Sequence, residues 1–145
     1  MPPPFFVMLP FPGPSGTTLT IRGNGTLTAA SNGYGTGIGS AYYGSYCGDI
    51  TILGGNITAN GGSGSAGIGS ANNSGCGNIT ITDGVTRVKA TKGDEAPNSI
   101  GAGKNGTCGT VTIGGTVYWN GTAYENEGDT HLTEAEFVYP SRSSR

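Results

Sequence analysis

One six-residue segment occurs three times in this chain, and its repetition constrains the fold more than any other feature. The segment reads Cys-Gly-x-Ile/Val-Thr-Ile and begins at Cys47, Cys76 and Cys108. A second segment, Gly-Ile-Gly-Ser-Ala in its first two copies, lies ahead of each at residues 37–41, 67–71 and 99–103. Segments that recur after 29 and 32 residues are typical of stacked structural units, each of which buries its apolar face against its neighbours.

The residue pattern of each unit predicts two short strands and one further apolar residue that points into the core. Isoleucine and threonine alternate, as in Ile50-Thr51-Ile52, which is the period-two pattern of a strand with one apolar face. First strands are predicted at 19–21, 50–52, 79–81 and 111–113, and second strands at 27–29, 57–59, 88–90 and 117–119. If the coils are in register about 4.8 Å apart, equivalent side chains form columns. These columns are Ile38, Ile68 and Ile100; Ile52, Ile81 and Ile113; and the outward Thr20, Thr51, Thr80 and Thr112.

The composition favours short strands joined by tight turns. Glycine supplies 29 of the 145 residues, and charged residues make up only 11%. Gly and Asn accept positive φ at little cost, so turns are expected throughout and helix is disfavoured. We therefore predict an all-β fold, a parallel β-solenoid of about three and a half coils.

The chain divides into three regions. Residues 1–16 form an apolar, proline-rich segment, residues 17–122 carry the repeats, and residues 123–145 form an acidic cap and tail. The first region contains an apolar run, Phe5, Phe6, Val7, Met8 and Leu9. This run either folds over its own first coil or adds as a strand to the next subunit. We expect the second arrangement, which joins unlike surfaces and propagates head to tail into filaments.

The repeat also resembles a known class of protein. Gly-Ile-Gly-Ser, then Cys-Gly-Asn-Ile-Thr-Ile, then Gly-Gly and an apolar-Thr-Ala strand is similar to the coils of large extracellular repeat proteins, often labelled carbohydrate-binding or cell-surface proteins. The resemblance covers residues 19–119. It implies a right-handed parallel β-solenoid used for display and adhesion, with no catalytic motif. This chain departs from the class in having few coils and no wall-anchoring or lipidation signal.

The three cysteines occupy one equivalent corner of the repeat, so they are expected to form a column. Adjacent coils would place their Cα atoms within the 4.4 to 6.8 Å that a disulfide accepts. Cys47, Cys76 and Cys108 therefore fit either a bridge between neighbouring coils, with one thiol left for a partner, or three small buried thiols. We favour buried thiols, since Cys is among the most buried residue types.

Six Asn-x-Ser/Thr sequons suggest surface glycosylation. They begin at Asn24, Asn56, Asn72, Asn78, Asn105 and Asn120. Chance occurrence in a chain rich in Asn, Gly and Thr also fits. We expect the asparagines to point outward, where attached sugar would keep a nearly uncharged surface soluble.

Charge and motifs argue against several classes of function. A net charge of -2 provides no broad basic surface for nucleic acid, and no stretch reaches the roughly 18 to 20 apolar residues of a membrane span. Asp49 and Asp83 belong to different repeat positions, so no carboxylate pair for hydrolysis is expected. Three thiols in a line do not make a tetrahedral metal site, and His131 lies outside the repeats. We expect no enzyme, no metal and no cofactor.

The chain is therefore interpreted as a non-enzymatic structural glycoprotein, extracellular or on the cell surface. Its expected partners are further copies of itself, covalent glycans and, in the alternative below, surface polysaccharide. The alternative is a carbohydrate-binding or adhesion module, because aromatic faces stack on sugars. The candidate aromatics are Tyr42, Tyr43, Tyr46, Tyr118 and Trp119. The threonine column would also fit an ice-binding face, although Thr simply suits the solvent side of a strand.

Overall fold

The chain winds into about three turns of a parallel β-solenoid in the computed structural model, which describes residues 17–120 and 134–138. Side chains are described for residues 17–115. The described residues contain the strands β1 Thr18–Ile21, β2 Thr26–Ala30, β3 Ile38–Gly39, β4 Asp49–Ile52, β5 Gly55–Asn60, β6 Ile68–Gly69, β7 Ile79–Ile81, β8 Val85–Thr91, β9 Ile100–Gly101, β10 Thr110–Ile113, β11 Thr116–Asn120 and β12 Glu134–Val138.

Three sheets form the three sides of the solenoid, as the repeat predicts. The first contains β1, β4, β7 and β10, the second β2, β5 and β8, and the third β3, β6 and β9. Equivalent strands are parallel and in register, apart from one shift between β5 and β8 after Gly55, so each coil supplies one strand to every sheet. The predicted β-solenoid is confirmed.

The interior consists of stacked apolar side chains. Ile38, Ile68 and Ile100 pair in one column and are fully buried. Ile52, Ile81 and Ile113 form the predicted second column. Burial of one such side chain contributes about 1.5–3 kcal/mol, and it depends on the neighbouring coils because one coil alone would leave the column open to water.

The glycine of the Ile-Gly segment is required by the stacking. Gly69 has φ +137°, a conformation that residues with a Cβ rarely adopt. A Cβ built on Gly69 would also overlap the carbonyl oxygen of Gly101 in the next coil. Glycine therefore sets the close approach of the coils at this corner, beside the Ile68 column.

The strand at residues 117–119 exists, but its pairing differs from the prediction. The other second strands lie in the second sheet, whereas β11 turns back and pairs antiparallel with β10. The cause is the turn: Gly114 and Gly115 have φ 59° and 87°, and Ile113 pairs with Thr116. Two positive φ values in a two-residue loop are the type I′ hairpin geometry.

The two ends of the stack are built differently. At one end β11 covers β10 and β12 covers β8, both antiparallel, with Glu136 opposite Lys89 in register. At the other end β1, β2 and β3 are the outermost strands of their sheets among the described residues. The predicted contact run, from Phe5 to Leu9, lies outside the described residues.

The outer faces carry the expected threonines. Thr20, Thr51, Thr80 and Thr112 pair in sequence along the first sheet. Their side chains are exposed or half-buried. In the part of the chain that the structure describes, no helix has the length and apolarity needed to cross a membrane.

Candidate functional site

The loop after the third strand of each coil contains one non-glycine residue in the left-handed conformation. Tyr43, Asn73 and Asn105 have φ of 62°, 56° and 55°. The stacking shows that they are equivalent, because Tyr43 N donates to the carbonyl of Asn72 at 3.0 Å and Asn73 N to that of Lys104 at 2.9 Å. Asn tolerates this conformation well and Tyr does not. The first coil thus holds a bulky aromatic residue where the other two hold Asn.

Three tyrosines of the first coil form one exposed cluster, which we call the aromatic corner: Tyr34, Tyr42 and Tyr43. The rings of Tyr34 and Tyr42 have centroids 4.9 Å apart and an interplanar angle of 34°. The rings of Tyr42 and Tyr43 are 5.7 Å apart and edge-on at 66°. The three residues are 55%, 47% and 66% exposed. Their rings therefore present apolar surface to the solvent in a stepped arrangement rather than packing into the core.

The second coil holds the aromatic corner in place through a buried hydroxyl. Ser65 is fully buried, and its Oγ donates to the carbonyl oxygen of Tyr34. The same Oγ accepts the backbone N–H of Asn72 at 3.1 Å. Since Tyr43 also bonds to Asn72, both sides of the corner are fixed to the same stretch of the neighbouring coil.

The sequence-based set of aromatics overlaps this cluster only in part. Tyr42 and Tyr43 belong to it, whereas the ring of Tyr46 lies against Gly75 of the next coil. The side chains of Tyr118 and Trp119 are outside the described set. Tyr34 was missed because it lies in a Gly-rich connection that carries no repeat signal. Only the folding of that connection beside the 42–43 loop brings its ring to Tyr42.

The cysteines form the predicted column. The flanking residues Tyr46, Gly75 and Thr107 pair in parallel, which places Cys47, Cys76 and Cys108 on successive coils. All three are free thiols. Cys47 and Cys76 are buried and Cys108 is half-buried, at the end of the column. Sequence alone left a disulfide and buried thiols open.

The middle thiol interacts with both of its neighbours. Hydrogen bonding with Cys108 and then with Cys47, together with burial, raises the pKa of the Cys76 thiol well above its ordinary value. Cys76 is therefore a neutral thiol at pH 7, held between two other sulfur atoms.

The six sequons occupy different environments. Asn24 and Asn105 are exposed in turns, whereas Asn56, in β5, and Asn72 are half-buried. Asn78 is exposed, but its Oδ1 accepts the backbone N–H of Thr110 at 2.9 Å. The side chain of Asn120 is not among those described.

Asp49 and Asp83, the two carboxylates considered for catalysis, lie in different parts of the coil. Asp49 Oδ1 accepts the backbone N–H of Asn78 at 2.8 Å, which continues the ladder formed by Asn78 and Thr110. Asp83 lies in the turn between β7 and β8. Within residues 17–120 and 134–138, no three His, Cys, Asp or Glu side chains are grouped to hold a metal ion.

No protein-family model, no curated protein and no solved structure matches this chain.

Proposed function

We propose that this protein is a non-enzymatic β-solenoid that binds carbohydrate through the aromatic corner. The observation that carries the proposal is Tyr43. A bulky aromatic residue occupies a left-handed position that the other coils fill with Asn, and it is 66% exposed. Strained residues that the surrounding structure holds in place are concentrated at functional sites. Large exposed aromatic surface indicates a contact surface.

The chemistry of the corner favours a neutral sugar. Aromatic rings bind the apolar C–H faces of pyranose rings, and the phenolic O–H groups can donate and accept hydrogen bonds. From Gly23 to Gly48 the chain contains no Asp, Glu, Lys or Arg. The corner therefore lacks, in its own stretch of chain, a cation that would select an acidic glycan. The stepped rings suit an oligosaccharide with two successive residues in contact.

A glycan array tests the proposal. We expect the wild-type chain to bind a subset of neutral oligosaccharides, and Tyr34→Ala and Tyr42→Ala each to weaken that binding at least about tenfold, since one lost aromatic contact of about 1.4 kcal/mol gives this factor. Leu53→Ala is the matched control, because Leu53 is also apolar and 39% exposed but lies between β4 and β5. Absence of any glycan binding by the folded wild-type chain would contradict the proposal.

A second candidate function is end-to-end assembly into filaments. It is favoured by the position of β1, β2 and β3, which are the outermost strands at one end of three in-register parallel sheets among the described residues. Edge strands of this kind pair with other chains unless they are covered. The proposed donor is the run from Phe5 to Leu9, acting on the next subunit.

Deletion of residues 1–14 tests the assembly proposal. Filaments in negative-stain images of the full chain, and monomers of unchanged circular dichroism after the deletion, are expected. Filaments that persist in the deleted chain would exclude this donor. A full chain that sediments only as a monomer would exclude assembly.

An extracellular, glycosylated state is proposed together with both functions. The sequons at Asn24 and Asn105 support it most directly, because these side chains are exposed in turns. Intact-mass spectrometry of the protein from its native source should give a mass above the 14.5 kDa of the chain. Enzymatic deglycosylation should return the mass to that of the chain. An unmodified mass would contradict the glycoprotein proposal.

A further inference from the structure

The cysteine column is not used by either proposed function, and its three thiols differ in access. Cys47 is fully buried, Cys76 is 3% exposed, and Cys108 is half-buried at the end of the column. Only Cys108 is open to a reagent in solution. A thiol must be accessible to react, and the reacting form is the thiolate.

The column also fixes which thiols can pair. Successive coils of a parallel stack are about 4.8 Å apart, within the Cα separation of a disulfide, whereas two coils apart is roughly 10 Å, which is too far. Cys76 can therefore bond to Cys47 or to Cys108, but Cys47 and Cys108 cannot bond to each other without unwinding the stack. The contacts of the Cys76 thiol with both neighbouring side chains agree with this geometry.

We infer that the cysteine column is an oxidation site that reacts with low-molecular-weight disulfides at Cys108 and forms a single Cys76–Cys108 disulfide between adjacent coils. Cys47, the fully buried thiol at the other end of the column, remains reduced. The inference is independent of sugar binding and of filament assembly.

The reaction has two exchange steps, and glutathione disulfide can serve as the oxidant. In the first, the Cys108 thiolate attacks one sulfur of glutathione disulfide; the S–S bond breaks, a Cys108–glutathione mixed disulfide forms, and a glutathione thiolate leaves. In the second, the sulfur of Cys76 attacks that of Cys108 and the Cys108–glutathione S–S bond breaks. The Cys76–Cys108 bond forms, and the departing glutathione sulfur takes up the Cys76 proton. Two protein thiols are oxidised and one glutathione disulfide is reduced to two thiols.

Incubation of the reduced, folded chain with glutathione disulfide tests the inference. After quenching with iodoacetamide, peptide mass spectrometry should identify one Cys76–Cys108 disulfide and an alkylated Cys47 after denaturation. Cys108→Ser should slow disulfide formation at least about tenfold, because the exposed thiol is gone. Cys47→Ser is the matched control: it keeps the exposed Cys108 thiol, so it should form the Cys76–Cys108 disulfide no more slowly than the wild-type chain.

The Cys76→Ser variant separates the two steps. It should accumulate the Cys108–glutathione adduct and form no intrachain disulfide, since Cys47 is two coils away. A Cys47–Cys108 disulfide in this variant, a Cys47–Cys76 disulfide as the main wild-type product, or a wild-type chain that stays fully reduced would each overturn the inference. Circular dichroism before and after oxidation ensures that the products come from the folded chain.

Discussion

The internal columns and the loops of this solenoid follow opposite rules. In the columns the three coils are nearly interchangeable, with Ile68 between Ile38 and Ile100. In the loops they are not: the position of Tyr43 in the first coil is taken by Asn73 in the second. A column position must match its neighbours above and below, so stacking restricts it. A loop position faces water and is free to differ, which is where a binding surface can be built without loss of the stack.

The largest expected effect is at the corner where the backbones meet. Gly69→Ala should abolish folding or destabilise it by more than about 5 kcal/mol, because the new Cβ overlaps the Gly101 carbonyl and φ is +137°. Gly101→Ala is the control: it has φ +134° but only ordinary contacts with Asn98, so the cost should be nearer the roughly 1–3 kcal/mol of backbone strain. Urea unfolding measures both. Equal losses in the two variants would mean that the coils are not in contact here.

The next effect is in the middle of an internal column. Ile68→Ala should lower the free energy of unfolding by about 2–5 kcal/mol, because it leaves a cavity that the isoleucines above and below cannot fill. Denaturant unfolding curves measure this loss, provided that the two chains have the same slope of unfolding free energy against denaturant concentration. A loss below about 0.5 kcal/mol, the range of surface substitutions, would contradict the column.

Alkaline pH should weaken the column at the cysteines. The pKa of Cys76 is raised in the folded chain, so this thiol contributes stability that is fully present below the unfolded value of about 8.5 and is lost as pH rises toward the folded value. Under reducing conditions the unfolding free energy should fall above that pH. The fall should be smaller in Cys76→Ala, and an identical pH dependence in both chains would refute the assignment.

The difference between columns and loops also explains what could be predicted from sequence. The repeat of Cys-Gly-x-Ile/Val-Thr-Ile established the three sides, the register and the columns, because in-register stacking requires like residues at like positions. The reversal of β11 was missed because Gly114-Gly115 and Gly54-Gly55 are identical in sequence, yet only the first pair has positive φ at both residues. Tyr34 was missed because the aromatic corner depends on how two non-repeating connections fold together.

The smallest effect belongs to a loop of the third coil. The hydrogen bond from Lys104 Nζ, 2.6 Å from Glu95 Oε1, and then the Lys104 charge lower the pKa of Glu95. Because the Glu95 pKa is lower in the folded chain than in the unfolded chain, the ion pair stabilises the fold above the unfolded pKa of about 4.3. This stabilisation is lost as pH falls through the folded pKa. Both side chains are exposed, so the effect on stability should be slight. An NMR titration should show a higher Glu95 pKa in Lys104→Gln; an unchanged value would exclude the pair.

The central proposal is that the columns determine the fold, whereas the aromatic corner of the first coil binds carbohydrate. The variant Tyr43→Asn tests it most directly, because it gives the first coil the residue that the second and third coils have at this position. Its unfolding free energy and its binding to the neutral glycans of the wild-type chain should be measured on one preparation from a host that adds no N-glycans, because the substitution creates an Asn-Gly-Ser sequon at residues 43–45. We expect stability to be unchanged or about 1 kcal/mol higher, from relief of the left-handed strain, and glycan binding to fall at least about tenfold. Undiminished binding by this variant would contradict the account.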